Sequence, residues 1–131
     1  MKKSSNPNRE SNAGPLSEAM YLVLASLVES PTHGYEIIGR ANLLSDRRVM
    51  LPVATLYGTL DRLTLRGHIE LVSEEVVDGR ARRTYALTDS GHIVLDEETQ
   101  RMSQLVSAMA KRQRAKRPRA VTISPLISVS L

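Results

Sequence analysis

A chain of 131 residues is enough for one domain with a modest core. The absence of Cys excludes a disulfide framework and a thiolate metal site, and there is neither an apolar run of membrane-span length nor a signal-peptide pattern, so a soluble cytoplasmic protein is expected. The net charge of +4 points to a polyanionic partner, but residues 111–131 hold six of the 18 Lys and Arg and none of the 14 acids, leaving −2 for residues 1–110.

Residues 1–15, MKKSSNPNRESNAGP, are polar and aperiodic, and a disordered arm is expected. Its Lys2, Lys3 and Arg9 suit either a minor groove or a solvated terminus. Ser17 is a good N-cap for a helix over 17–29, in which Met20, Val23, Leu24, Leu27 and Val28 fall at helical spacing. Ser30-Pro31 ends it. Thr32 then caps a second helix from His33 to about Asn42, with Tyr35, Ile38 and Ala41 on one face and Ile37 beside it. The connection LLSDRRVML, 43–51, is long for a turn between two packed helices, and part of it is read as a half-turn of helix or a short strand. Arg47 and Arg48 in it are read as solvated loop arginines.

The next stretch, PVATLYGTLDRLTLRG over 52–67, opens on a proline suited to a first helical turn and closes on a glycine suited to a helix end. At 100° per residue, Val53, Leu56, Tyr57, Leu60 and Leu63 share one face. Thr55, Gly58, Thr59, Arg62 and Arg66 share the opposite one, which holds no carboxylate. A short helix with hydroxyls and guanidiniums on its outer face fits a DNA major groove, and it equally fits an ordinary solvated surface.

After Gly67 the period falls toward 2. Ile69 and Leu71 begin one strand, Asp78-Gly79 is a hairpin turn, and residues 82–87 return as the second strand. Tyr85 and Leu87 face in, Arg82 and Thr84 face out, and Arg83 shares the inward side near the tip. Such a lone hairpin has to lean on the helices. Its tip carries Arg80, Arg82 and Arg83, while Glu70, Glu74 and Glu75 keep the outgoing strand off phosphates.

Thr88 caps a last helix reaching about residue 114, with Asp89 in its first turn. Leu95, Met102, Leu105 and Met109 form a coiled-coil seam interrupted by Glu98, with Val106 widening the stripe. A second subunit would cover this stripe, or the helix packs back along the first one. The basic run KRQRAKRPR, 111–119, suits either sequence-independent nucleic-acid binding or a solvated surface, the uncharged AVTISPLISVSL, 120–131, suits an edge strand or a loose end, and a disordered tail is expected over 115–131.

The order of these pieces resembles the PadR family of bacterial transcriptional regulators. LSEAMYLVLASLVESPTHGYEI (16–37) is similar to the family's first helix and HGYE signature, TLYGTLDRL (55–63) to its recognition helix, RGHIE (66–70) to the glycine closing that helix, and RRTYALTDSGHIVL (82–95) to the wing strand and final helix. Ala54 departs from the glycine usual before TLY. The resemblance implies a mainly α fold with a small antiparallel hairpin. It comprises a winged helix-turn-helix DNA-binding domain over 16–87 and a C-terminal dimerisation helix over 88–114, while the tail over 115–131 lies outside the family pattern. It also implies a homodimer that mostly represses transcription and is often released by a small-molecule effector. Some relatives hold flat aromatic drugs between tryptophans, and this chain has no Trp and no Phe.

On this reading the partner is double-stranded DNA. The helix carrying Thr55, Gly58, Thr59, Arg62 and Arg66 enters the major groove, with Arg62 placed to read a guanine. The Tyr57 hydroxyl reaches a phosphate, His33 and Tyr35 hold the backbone, and Arg80, Arg82 and Arg83 take the flanking groove or phosphates. Tyr35 fits the core almost as well. Leu95, Met102, Leu105, Val106 and Met109 form the dimer interface. The alternative is a winged-helix protein-interaction module, which the −2 charge of residues 1–110 favours. His33, His68 and His92 have no metal-ligand spacing, and no nucleophilic triad or phosphate loop is present, so neither an enzyme nor a metal or cofactor is expected.

Overall fold

The computed structural model describes residues 16–117. The expected N-terminal arm, 1–15, and the tail from 118 lie outside the described residues. The described elements are α1 (Glu18–Ser26), β1 (Thr32–His33), α2 (Gly34–Leu44), α3 (Val53–Leu65), β2 (Ile69–Val77), β3 (Arg80–Leu87) and α4 (Asp89–Lys116). The chain divides within α4 into two compact units, the first ending at Glu98 and the second starting at Thr99.

In the first unit Ser17 caps α1 as its residue type predicts, its hydroxyl accepting from the Met20 N–H at 3.1 Å. The helix buries Met20, Leu22, Val23 and Leu24 and stops at Ser26, short of the expected 29. Arg40 of α2 ties down the chain that follows, donating to the Ser26 and Ser30 carbonyls at 2.9 and 3.1 Å. Residues 32 and 33 are strand rather than helix: they pair antiparallel with β3, Thr32 opposite Tyr85 and His33 opposite Thr84. Pro31 already holds the chain extended, and β3 has a free edge to receive it, giving a three-stranded sheet in the order β1-β3-β2. The helix cap therefore moves from Thr32 to His33. Helix α2 buries Ile37 and Ala41, and Tyr35, expected on the same face, is 75% exposed.

The connection to α3 is a pinned turn, neither strand nor helix. The Ser45 hydroxyl accepts from the Val49 N–H at 3.1 Å, and Val49 and Leu51 pack into the core. Helix α3 buries Leu56, Thr59, Leu60 and Leu63. Its inward direction is turned by about 45° from the face that apolar side chains alone would select. That rotation brings Thr59 to 0% exposure and leaves Val53 and Tyr57 more than half exposed. The helix closes with Gly67 at φ +81, the Gly67 N–H donating to the Thr64 carbonyl and the His68 N–H to the Leu63 carbonyl, both at 3.0 Å. This is a Schellman end, which glycine serves without strain.

Asp78 and Gly79, both with positive φ, make the two-residue hairpin turn. Strand β3 starts at Arg80, two residues before the expected Arg82, and the pairing slips between Leu71 and Ser73. Buried Ile69 and Tyr85 seat the base of the hairpin on the helical core.

One residue joins the end of α3 to the start of α4. Thr88 Oγ1 accepts from the Gly91 N–H at 3.0 Å and donates to the Gly67 carbonyl at 2.6 Å, while the Thr88 N–H donates to the His68 carbonyl at 3.2 Å. His68 Nδ1 and Ser90 Oγ lie 2.9 Å apart, and burial, with Arg66 nearby, lowers the His68 pKa. A Cβ at Gly91 would run into the His68 carbonyl. Leu95, expected at a subunit interface, is instead part of this unit's own core. Gly91→Ala is expected to cost about 1–3 kcal/mol of stability through that overlap. Urea denaturation measures this, and a wild-type midpoint would refute the close approach.

In the second unit the helix runs on to Lys116, two residues past the expected end. Leu105, Val106 and Met109 are exposed and Met102 is half-buried.

Candidate nucleic-acid interface

The outer face of α3 presents Thr55, Tyr57, Arg62 and Arg66 to solvent, with Gly58 half-buried between them. The Arg62 guanidinium makes no hydrogen bond or ion pair with any other described residue, which leaves its five donors open to solvent. Arg66 leans back toward α1, its Nη1 3.8 Å from Met20 Sδ. Thr59 does not belong to this face. It lies in the core with Oγ1 buried and unpartnered among the described residues. Val53 and Tyr57 are core side-chain types at helical spacing but lie more than half exposed, so the inner face is turned toward Thr59.

A cleft of about 660 Å³ lies between the start of α2, the first half of α3 and the hairpin tip, with His33, Tyr35, Tyr57, Arg80, Arg82 and Arg83 among its lining residues. These six expected site residues are separated by up to fifty positions in the chain and are brought together here. Strand β1 fixes His33 by its pairing with Thr84, and α2 begins one residue later with no side chain capping its first N–H groups. Gly34 lets α2 start close to α3: an added Cβ would stand 3.3 Å from Leu56 Cδ2, a tight contact, and 3.6 Å from the Tyr57 hydroxyl. Residue-type reasoning passed over Gly34, and the HGYE motif that contains it was the available signal.

The cations of the cleft are unequal. Arg83 Nε donates to Glu74 Oε2 at 3.0 Å, and this bond, with the charge of Glu74 and then of Tyr85, raises the Arg83 pKa. Arg80 and Arg82 are exposed and make no ion pair with any described residue. Glu70 and Glu75 remain on β2, so the positive side of the hairpin is its tip and return strand.

Three helices, a two-stranded wing and a third short strand around this cleft define a winged helix-turn-helix protein. The Transcriptional regulator PadR-like family matches residues 23–97, and the chain belongs to that family. It is 34% identical over 88 residues to an uncharacterized 37.1 kDa protein in transposon Tn4556 of Streptomyces fradiae, covering 67% of this chain and 24% of that protein. It is 50% identical over 52 residues to the transcriptional regulator Rv3488 of Mycobacterium tuberculosis, covering 39% of this chain and 47% of that one. The chain thus spans less than half the length of either relative. A PadR family transcription regulator of Clostridium difficile R20291 has a crystal structure that superposes with a TM-score of 0.60 at 26% identity, over 72% of this chain and 97% of that one.

The burial of Thr59 has a measurable consequence. Thr59→Val removes an unpartnered buried hydroxyl and is expected to add about 1 kcal/mol of stability while leaving DNA affinity unchanged. Thermal melts and anisotropy check both, and weakened DNA binding with a retained fold would return Thr59 to the exposed face.

Proposed function

We propose that this PadR-family regulator is a cytoplasmic repressor that binds a pseudo-palindromic operator as a homodimer. The observation that carries this is the exposed face of α3, where Arg62, free of any ion pair, stands with Thr55 and Gly58 beside a cleft holding Arg80 and Arg82. Helix α3 enters the major groove, and Arg62 offers its planar fork to guanine O6 and N7. Tyr35, Tyr57 and His33 hold the backbone together with the uncapped start of α2. The hairpin tip takes the flanking phosphates through Arg80 and Arg82. Arg83 serves them less, since Glu74 already takes part of its charge.

The dimer forms through the exposed Leu105, Val106 and Met109 and the half-buried Met102, which share a stripe at i, i+3, i+4 and i+7 spacing. Two-fold symmetry sets half-sites about one or two helical turns apart, on the order of 34–36 Å per turn. Release by a small-molecule effector belongs to this reading, as the family resemblance implies. The absence of Trp and Phe turns it away from tryptophan stacking at the dimer centre.

Two measurements test the reading. Arg62→Ala is expected to cost about 1–3 kcal/mol on a duplex selected by the wild-type protein from a random pool, and to relax preference at one base pair per half-site. Equal losses on selected and unrelated duplexes would remove Arg62 from base reading. Leu105→Glu is expected to convert the dimer to a monomer in sedimentation equilibrium and to abolish operator binding with the fold intact. A wild-type protein that sediments as a monomer at micromolar concentration would overturn the paired arrangement.

A further inference from the structure

The turn between α2 and α3 holds two consecutive non-glycine residues in the left-handed region, Asp46 at φ 55 and Arg47 at φ 64. Aspartate tolerates that region because its short side chain bonds locally, whereas arginine has no such compensation. The turn is nevertheless held firmly. The Asp46 N–H donates to the Leu43 carbonyl at 3.1 Å, the Arg47 N–H to the Asn42 carbonyl at 2.6 Å, and the Arg48 N–H to the Ser45 carbonyl at 3.1 Å. On its inner side Val49 and Leu51 anchor it in the core. On its outer side Arg47 and Arg48 are exposed, and neither guanidinium is engaged by any other described residue. Arg40 and Arg83, by contrast, are committed to carbonyls and carboxylates of the fold. Strain of this kind persists where the surroundings over-determine it, and it clusters where a ligand is held.

The turn also stands in a telling place. Arg48 precedes Pro52, the cap of α3, by four residues, so its Cα lies within about 14 Å of the first turn of that helix. A major groove is about 12 Å wide. A duplex seated on Thr55 and Arg62 therefore brings a bordering phosphate strand within reach of these side chains. Asp46 is the only acid in 43–51, so the segment carries a net +1.

We infer that the Asp46–Arg48 turn is a further DNA-contacting element, in which Arg47 and Arg48 hold phosphates bordering the major groove. The inference rests on the DNA-binding reading above and adds to α3 and the hairpin tip a contact independent of base sequence. The strained arginine is kept for its charge, at the expense of stability that a glycine would supply.

The test uses the full chain and two labelled duplexes, one selected by the wild-type protein from a random pool and one of unrelated sequence. Arg48→Ala is expected to weaken both alike and to lower the slope of log Kd against log salt by about 2 per bound dimer, one phosphate from each protomer. Arg47→Gly is expected to weaken DNA binding in the same way while raising Tm by about 3 °C. Opposite movement of affinity and Tm is not the signature of a folding defect. Arg47→Lys, which keeps the charge, is expected to restore the slope. If the wild-type protein binds the selected duplex with a steep salt dependence and both Arg48→Ala and Arg47→Gly match it in affinity and slope, the inference falls and the DNA-binding reading stands. If the wild-type protein binds neither duplex, both fall together.

Discussion

The structure depends on how α3 is held. Leu56, Leu60 and Leu63 are almost fully withdrawn from water against a core that includes Val23, Leu24 and Ile37. Burial of this kind contributes about 1.5–3 kcal/mol per side chain, and it fixes the helix in rotation as well as in position. Rotation decides which side chains a partner meets. A turn of about half a residue step separates an outer face with Thr59 in it from the one observed, where Tyr57 takes the margin beside the cleft. The cost of the observed setting is one buried hydroxyl without a partner.

Charge placement works against the balance of the domain. Residues 1–110 hold more acids than bases, so attraction to a polyanion has to come from where a few arginines point or from the basic run 111–119. Glu36 lies 3.8 Å from Arg40, which is already tied to the loop after α1, and Glu74 takes Arg83. The Glu74–Arg83 pair is exposed and contributes little to stability, and the Glu36–Arg40 pair, half-buried on its arginine side, is long at 3.8 Å. Among the described residues Arg62, Arg66, Arg80 and Arg82 make no ion pair around the cleft and the outer face of α3.

What could be read beforehand follows from how local each signal is. The cap at Ser17, the Asp78-Gly79 turn, the glycine end of α3 and the Thr88 cap each depend on residues within a few positions, and each stands where the residue types require. The HGYE and TLYGTLDRL motifs carried the family and most of the site. Strand β1 was not legible, because two residues become strand only when β3 offers an edge. The rotation of α3 was not legible either. Val53 and Tyr57 look like core side chains, and only the three-dimensional position of α1 and α2 turns them outward. Leu95 was assigned to a subunit seam by its spacing, which cannot distinguish a partner's surface from the domain's own core.

The junction at Thr88 shows why wing and helix ends are mechanically linked. A helix C-terminus leaves carbonyls without partners and a helix N-terminus leaves N–H groups without them. Here the carbonyls of α3 are met by the Gly67 and His68 N–H groups, while one threonine caps α4 by accepting from Gly91 and holds the turn after α3 by donating to Gly67. Because that residue serves both, α4 cannot begin elsewhere without freeing the Gly67 carbonyl. The close approach of Gly91 to His68 removes the remaining slack. The residues just before Thr88 are those of β3, so the same bonds that anchor α4 also fix the root of the hairpin whose tip carries the wing arginines.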